Sequence, residues 1–95
     1  MATLIRQDGS SEVVYPKGKV FSLEELQHLV GGYIELIVLP NGLDAYINED
    51  GKELLLPVNN RATTLLQSVG IHPHDYVVGN LVVCTRQETE EEGGD

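Results

Sequence analysis

Asparagine, arginine and threonine crowd into residues 59–64, Asn-Asn-Arg-Ala-Thr-Thr. A helix starting there would aim free N–H groups and the positive end of its dipole at an anion. Arg61 could add a two-pronged contact to a phosphate, and Asn59, Asn60 and Thr63 could add hydrogen bonds. Lys17 and Lys19, the one closely spaced pair of basic residues, would complete such a pocket from a loop. The competing reading is structural: Asn59 caps the helix and Arg61 is solvated.

The other chemical residue types form weaker patterns. His72, His74 and Asp75 have ligand-like spacing, but a zinc site needs three or four converging donors, and His28 is the sole remaining histidine. No metal is expected; the segment reads as a polar loop in which Pro73 stops any helix. The single cysteine, Cys84, lies in an apolar run with no activating base, so it reads as a small core residue. The serines lack a nucleophile-elbow context. The acid pairs Glu24–Glu25 and Glu49–Asp50 fall on a helix surface and a turn, screened by water. Gly31-Gly32 ends a helix rather than opening one, so it is not a phosphate loop. No catalytic set and no cofactor follow from these residues, and a non-enzymatic protein is expected.

The elements that must carry these groups are short. Ser22 with Glu25 forms a capping box, and Leu23, Leu26, Leu29 and Val30 give the following helix one apolar stripe. Gly31 supplies the left-handed stop, and an apolar strand follows over 33–39. Segments 2–6 and 12–15 flank the turn residues 7–10 and read as an N-terminal hairpin. Asn41-Gly42 signals a second hairpin between 33–39 and 43–48. A turn at 49–52 leads to an expected short strand over 53–56, closed by Pro57. The second helix should begin at Asn59 or Asn60, with Ala62, Leu65, Leu66 and Val69 as its stripe and Gly70 as its end. Segments 76–78 and 81–86 are strand-like on either side of Gly79.

This order predicts an α+β fold: a mostly antiparallel sheet of about five to six short strands with two short helices on one face, since so few helices should not cover both. In the strand over 33–39, Ile34, Leu36 and Val38 share the face expected under the helices. Tyr33, Glu35 and Ile37 share the other, joined by Tyr46. That face reads either as a solvated surface or as a partner surface, the latter implying a homodimer or higher homo-oligomer.

The charge of −9 is unevenly placed. Five of fifteen acids lie in the last eight residues, leaving ten acids against six bases, or −4, in residues 1–87. The expectation is one α+β domain over 1–87 and a disordered acidic tail over 88–95. An acidic domain without clustered lysine and arginine is a poor binder of a nucleic-acid polymer. No apolar run approaches the ~20 residues that span a bilayer, so no membrane contact is expected. One cysteine and no leader pattern fit a reducing cytoplasm.

The pattern LEELQHLVGGYIEL, then LPVNNRAT, then DYVVGNLVV resembles a family of small proteins of unknown function carried by bacteriophages, plasmids and other mobile elements. The resemblance covers roughly residues 20–84 and leaves out the N-terminal hairpin and the tail. It implies an accessory protein in the cytoplasm of a bacterial host cell and brings no catalytic roles. In that setting the leading expectation is an anti-defence protein that sequesters a small nucleotide immune signal, contacted by Tyr33, Glu35, Asn60 and Arg61. The alternative is a protein-binding inhibitor of a host defence enzyme, acting through an acidic surface or an exposed sheet face.

Overall fold

The computed structural model describes residues 1–89. Five strands, β1 (Ala2–Ile5), β2 (Ser11–Val14), β3 (Ile34–Val38), β4 (Leu43–Asn48) and β5 (Leu81–Thr85), form one antiparallel sheet in the order β2-β1-β5-β4-β3. Two helices, α1 (Leu23–Val30) and α2 (Asn60–Ser68), complete the α+β fold.

Local chemistry sets most of these boundaries. The Ser22 side chain accepts from the Glu25 N–H at 3.1 Å while Glu25 accepts from the Ser22 N–H at 3.1 Å, closing the capping box. Gly31 then takes φ 82°, a left-handed value that costs an L-residue roughly 1–2 kcal/mol. Asn59 caps α2 by accepting from the Ala62 N–H at 3.0 Å. The β3–β4 hairpin forms as expected, but through the three-residue turn Pro40–Gly42 with Leu39 N–H on Leu43 O at 2.9 Å.

The helices lie on opposite faces, which corrects the expectation that both share one. Leu26 and Val30 of α1 pack with Ala2, Leu4, Tyr46, Val82 and Cys84. Ala62 and Leu66 of α2 pack with Ile5, Ala45 and Leu81, the alternate residues of the same strands. Strands of four to six residues make each face so small that one short helix covers a useful part of it. The central strand β5 accordingly reads as an unbroken apolar run, Leu-Val-Val-Cys.

Three further expectations change. Residues 53–56 are not a strand: Leu54 N–H bonds Asp50 O and Leu56 N–H bonds Gly51 O, winding the segment into turns that hold Leu55 at φ 56°. Segment 76–78 contributes a single bridge, Val58 to Val78, and Gly79 turns the chain (φ 74°) into β5. Leu36 and Val38, expected under the helices, stay 49% and 64% exposed because β3 is an edge strand that α1 reaches only at Ile34.

Glu88, expected to lie in the tail, is engaged by the fold. Arg86–Glu88 form a turn of 3₁₀ helix, and Glu88 pairs with the N-terminal ammonium and accepts from Thr85 N–H at 2.8 Å. Burial disfavours the charged carboxyl, yet these bonds outweigh it and hold Glu88 below the usual range. Residues 90–95 of the expected tail lie outside the described residues.

Candidate functional site

The residues singled out for ligand binding do not converge. Asn59 is fully buried and donates to Ile5 O at 3.0 Å and Gly79 O at 2.8 Å, besides capping α2. Thr63 accepts the Val77 N–H at 2.8 Å, tying α2 to the following loop. Arg61 donates to Gly9 O at 3.0 Å and Ser11 Oγ at 3.1 Å, which clamps the β1–β2 turn. Each is engaged in holding the fold. Asn60 is exposed beside Arg61 on a shallow surface with Thr64 and Leu65.

Lys17 and Lys19 belong to the loop that enters α1, which packs on the opposite face of the sheet from α2. Tyr33 and Glu35 sit at the β3 edge, Tyr33 being 68% exposed. Glu35 lines a small cleft of about 290 Å³ with Lys52 and Asp75. Lys52 bonds Asp75 at 2.9 Å and lies 4.3 Å from the Tyr76 ring centre. That hydrogen bond raises the Lys52 ammonium and lowers the Asp75 carboxyl, so both stay charged near neutrality.

The larger concavity is a groove of about 790 Å³ between β2 and α1. Ala2 and Leu4 of β1 are buried against α1 and Phe21, so the groove opens only beyond them, over β2. Val14, Phe21 and Leu29 line the groove with apolar surface, and Tyr15 stands at its edge, 69% exposed. Three carboxylates, Glu12, Glu24 and Glu25, line it with two basic groups, Lys17 and His28, and Glu12 is itself paired with Arg6.

Glu25 organises one wall. It accepts from the Ser22 N–H and, at 3.1 Å, from the Lys17 N–H, and these bonds hold its carboxyl below the usual range. Of the expected residues only Lys17 reaches the groove. The signal for the rest was faint: an apolar Val-Val-Tyr run in the second strand, and Leu29 on the flank of the helix stripe.

The β2 backbone borders the same groove. Arg6 N–H bonds Ser10 O at 2.8 Å, so in this antiparallel pair the even residues of β2 face β1. Ser11 and Val13 therefore turn their N–H and C=O groups outward, and among the described residues no further strand lies beyond β2.

Cys84 is buried between the sheet and α1, and burial, with Glu88 and Asp44 nearby, pushes its thiol up to about 11. A thiol held that high is a packing group rather than a nucleophile. His72 and His74 stack loosely, ring centres 5.3 Å apart, and His72 Nδ1 accepts the His74 N–H at 3.1 Å. Among the described residues no set of three or more His, Cys, Asp or Glu side chains is placed to hold a metal, and no helix is long and apolar enough to cross a membrane.

The family model of the domain of unknown function DUF3846 matches residues 2–94. The chain belongs to this family. The match takes in the N-terminal hairpin that forms one side of the groove, beyond the span of the motifs read from the sequence. No curated protein and no solved structure matches the chain.

Proposed function

We propose that this DUF3846 protein works by binding a protein partner, without catalysis of its own. The partner supplies an extended segment that adds to β2 as a sixth strand and sets alternate side chains into the groove. The observation that carries this reading is that the outward backbone groups of Ser11 and Val13 border the groove of about 790 Å³ whose other wall is α1. Strand addition takes affinity from main-chain hydrogen bonds and selectivity from pockets for every second side chain. The apolar floor suits an aliphatic residue of the segment, and the acidic lining suits neighbouring lysine or arginine.

In the phage and mobile-element setting implied by the motifs, the partner is a host protein, and the protein inhibits a host defence enzyme in the bacterial cytoplasm. A second reading, sequestration of a nucleotide signal, is favoured by Tyr15, His28 and Lys17 sharing the groove. The three carboxylates beside them oppose it, since an anion needs a locally positive pocket.

The test is selection from a displayed library of random twelve-residue peptides, with recovered sequences titrated calorimetrically. Enrichment of alternating aliphatic and basic residues is expected, with binding lost in Val13→Pro, which deletes an outward N–H and leaves the β1 ladder intact. A thermal-shift panel of cyclic and linear nucleotides runs alongside. Stabilisation by a nucleotide, with no peptide enriched, would transfer the assignment to the second reading.

A further inference from the structure

The opposite edge of the sheet carries an independent feature. Leu39 N–H bonds Leu43 O at 2.9 Å and Glu49 N–H bonds Tyr33 O at 2.8 Å, so odd residues of β3 face β4. Ile34, Leu36 and Val38 consequently point their N–H and C=O groups away from the sheet. Edge strands are normally blunted by lysine, proline or a bulge. The segment Ile-Glu-Leu-Ile-Val has no lysine or proline and keeps a regular register against β4 across all five residues. Its apolar side chains Leu36 and Val38 remain 49% and 64% exposed on the α1 side.

We infer that β3 pairs antiparallel with β3 of a second copy of this chain, with Leu36 opposite Leu36 on the two-fold axis. Outward-pointing residues must meet outward-pointing residues, which restricts the register to shifts of two. One such shift sets Glu35 directly against Glu35 of the other copy, a like-charge pair that destabilises a sheet. The shift in the other direction sets Ile34 against Pro40, which has no N–H to give. Between them lies the register that pairs Leu36 with itself and Ile34 with Val38. It uses all three outward residues and forms about six hydrogen bonds, two per pair.

In that register the exposed Leu36 and Val38 of each copy close over one another and over the half-buried Ile34. The acidic side chains are kept apart, because Glu35 faces Ile37. The contact is self-complementary, as a closed two-fold interface requires. The result is a continuous ten-stranded sheet with a β2 edge at each end, roughly 43 Å apart at nine spacings of about 4.8 Å. Two copies of the β2–α1 groove are then carried on one rigid sheet. The inference does not rest on what those grooves hold.

Sedimentation velocity of the full chain over about 1–300 µM, the range for a contact at the small end of interface sizes, reads the assembly directly. A dimer that dissociates on dilution is expected, with association weakened at least about 100-fold in Leu36→Lys, since an edge lysine blocks strand pairing. Leu54→Lys, an equally exposed apolar site away from β3, should leave the dimer unchanged. Cysteine cross-linking fixes the register and does not rely on the lysine variant. Leu36→Cys should oxidise to a covalent dimer, because paired residues lie about 5.5 Å apart at Cα. Glu35→Cys should not, its copies being about 7–8 Å apart on the diagonal. A monomer throughout the range overturns the inference, as does a dimer indifferent to Leu36→Lys or one that cross-links through Glu35→Cys instead.

Discussion

Replacing Asn59 with alanine removes three hydrogen bonds from a side chain with no solvent exposure. The lost contacts are the 3.0 Å and 2.8 Å donations to Ile5 O and Gly79 O, and the 3.0 Å cap on the Ala62 N–H. A buried polar group left without a partner costs about 1–3 kcal/mol. The Ala62 N–H and the Gly79 carbonyl lose this partner outright. The Ile5 carbonyl, which also faces Leu81 across the β1–β5 ladder, loses one of two, for a total of about 3–5 kcal/mol. The whole protein, at about 0.05–0.15 kcal/mol per residue, is stable by about 5–14 kcal/mol. One substitution therefore removes about a fifth or more of that total.

Urea unfolding followed by far-UV circular dichroism measures the loss. With a slope of about 1–1.5 kcal/mol per molar, the midpoint should fall by about 2–5 M. Asn59→Asp should be no better, because it keeps the cap acceptor while aiming a carboxylate oxygen at two carbonyls. Asn60→Ala, one residue along and exposed, should stay within about 0.5 kcal/mol of wild type. A loss below about 1 kcal/mol for Asn59→Ala would refute the view that this side chain locks α2, β1 and the 77–80 turn together.

Arg86→Ala strands the buried Asp44 carboxylate, which Arg86 meets at 3.0 Å, and should cost about 2–4 kcal/mol. Adding Asp44→Asn should recover part of it, and urea midpoints of the single and double variants check the coupling. Leu55 sits at φ 56° and is 86% exposed, so Leu55→Gly should relieve backbone strain and raise Tm by a few degrees in calorimetry. A fall instead would mean that Leu55 makes contacts the fold needs. Glu88, Glu25, Asp8 and Asp75 all have carboxyl pKa values below their unfolded ones. Their contribution is fully present above the ordinary values of 3.8–4.5 and is lost as pH falls through the lowered ones. Stability measured from pH 6 to pH 2 should hold down to about 4.5 and then decline, with Glu88→Gln flattening part of that slope.

Local signals in the sequence were reliable wherever a few neighbouring residues decide the outcome. The Ser22–Glu25 box, the Gly31 stop, the Asn59 cap and both hairpins could be read because each depends on contacts within one or two turns of chain. The segment 53–56 misled because its run of leucines resembles a strand. Its real partners, Asp50 and Gly51, lie just upstream, and Asn48 anchors the bend by accepting the Asp50 N–H at 2.8 Å.

The hydrogen bonds that engage three of the expected ligand residues were hidden from the sequence for a related reason. Asn59, Arg61 and Thr63 were right in type for an anion site, but their partners Ile5, Gly79, Gly9, Ser11 and Val77 are distant in sequence. Nothing within residues 59–64 reveals that those hydrogen bonds are already spent.

Residue pattern alone settled the two helices with their caps, the two hairpins and the α+β class, since propensity, capping and periodicity act over short spans. Tertiary structure alone decided that the helices take opposite faces, that β3 and β2 are the two edges, and that a groove opens beside β2. Strand order and face coverage depend on which distant apolar surfaces meet, and in strands this short the alternation of side chains leaves several such meetings equally satisfied.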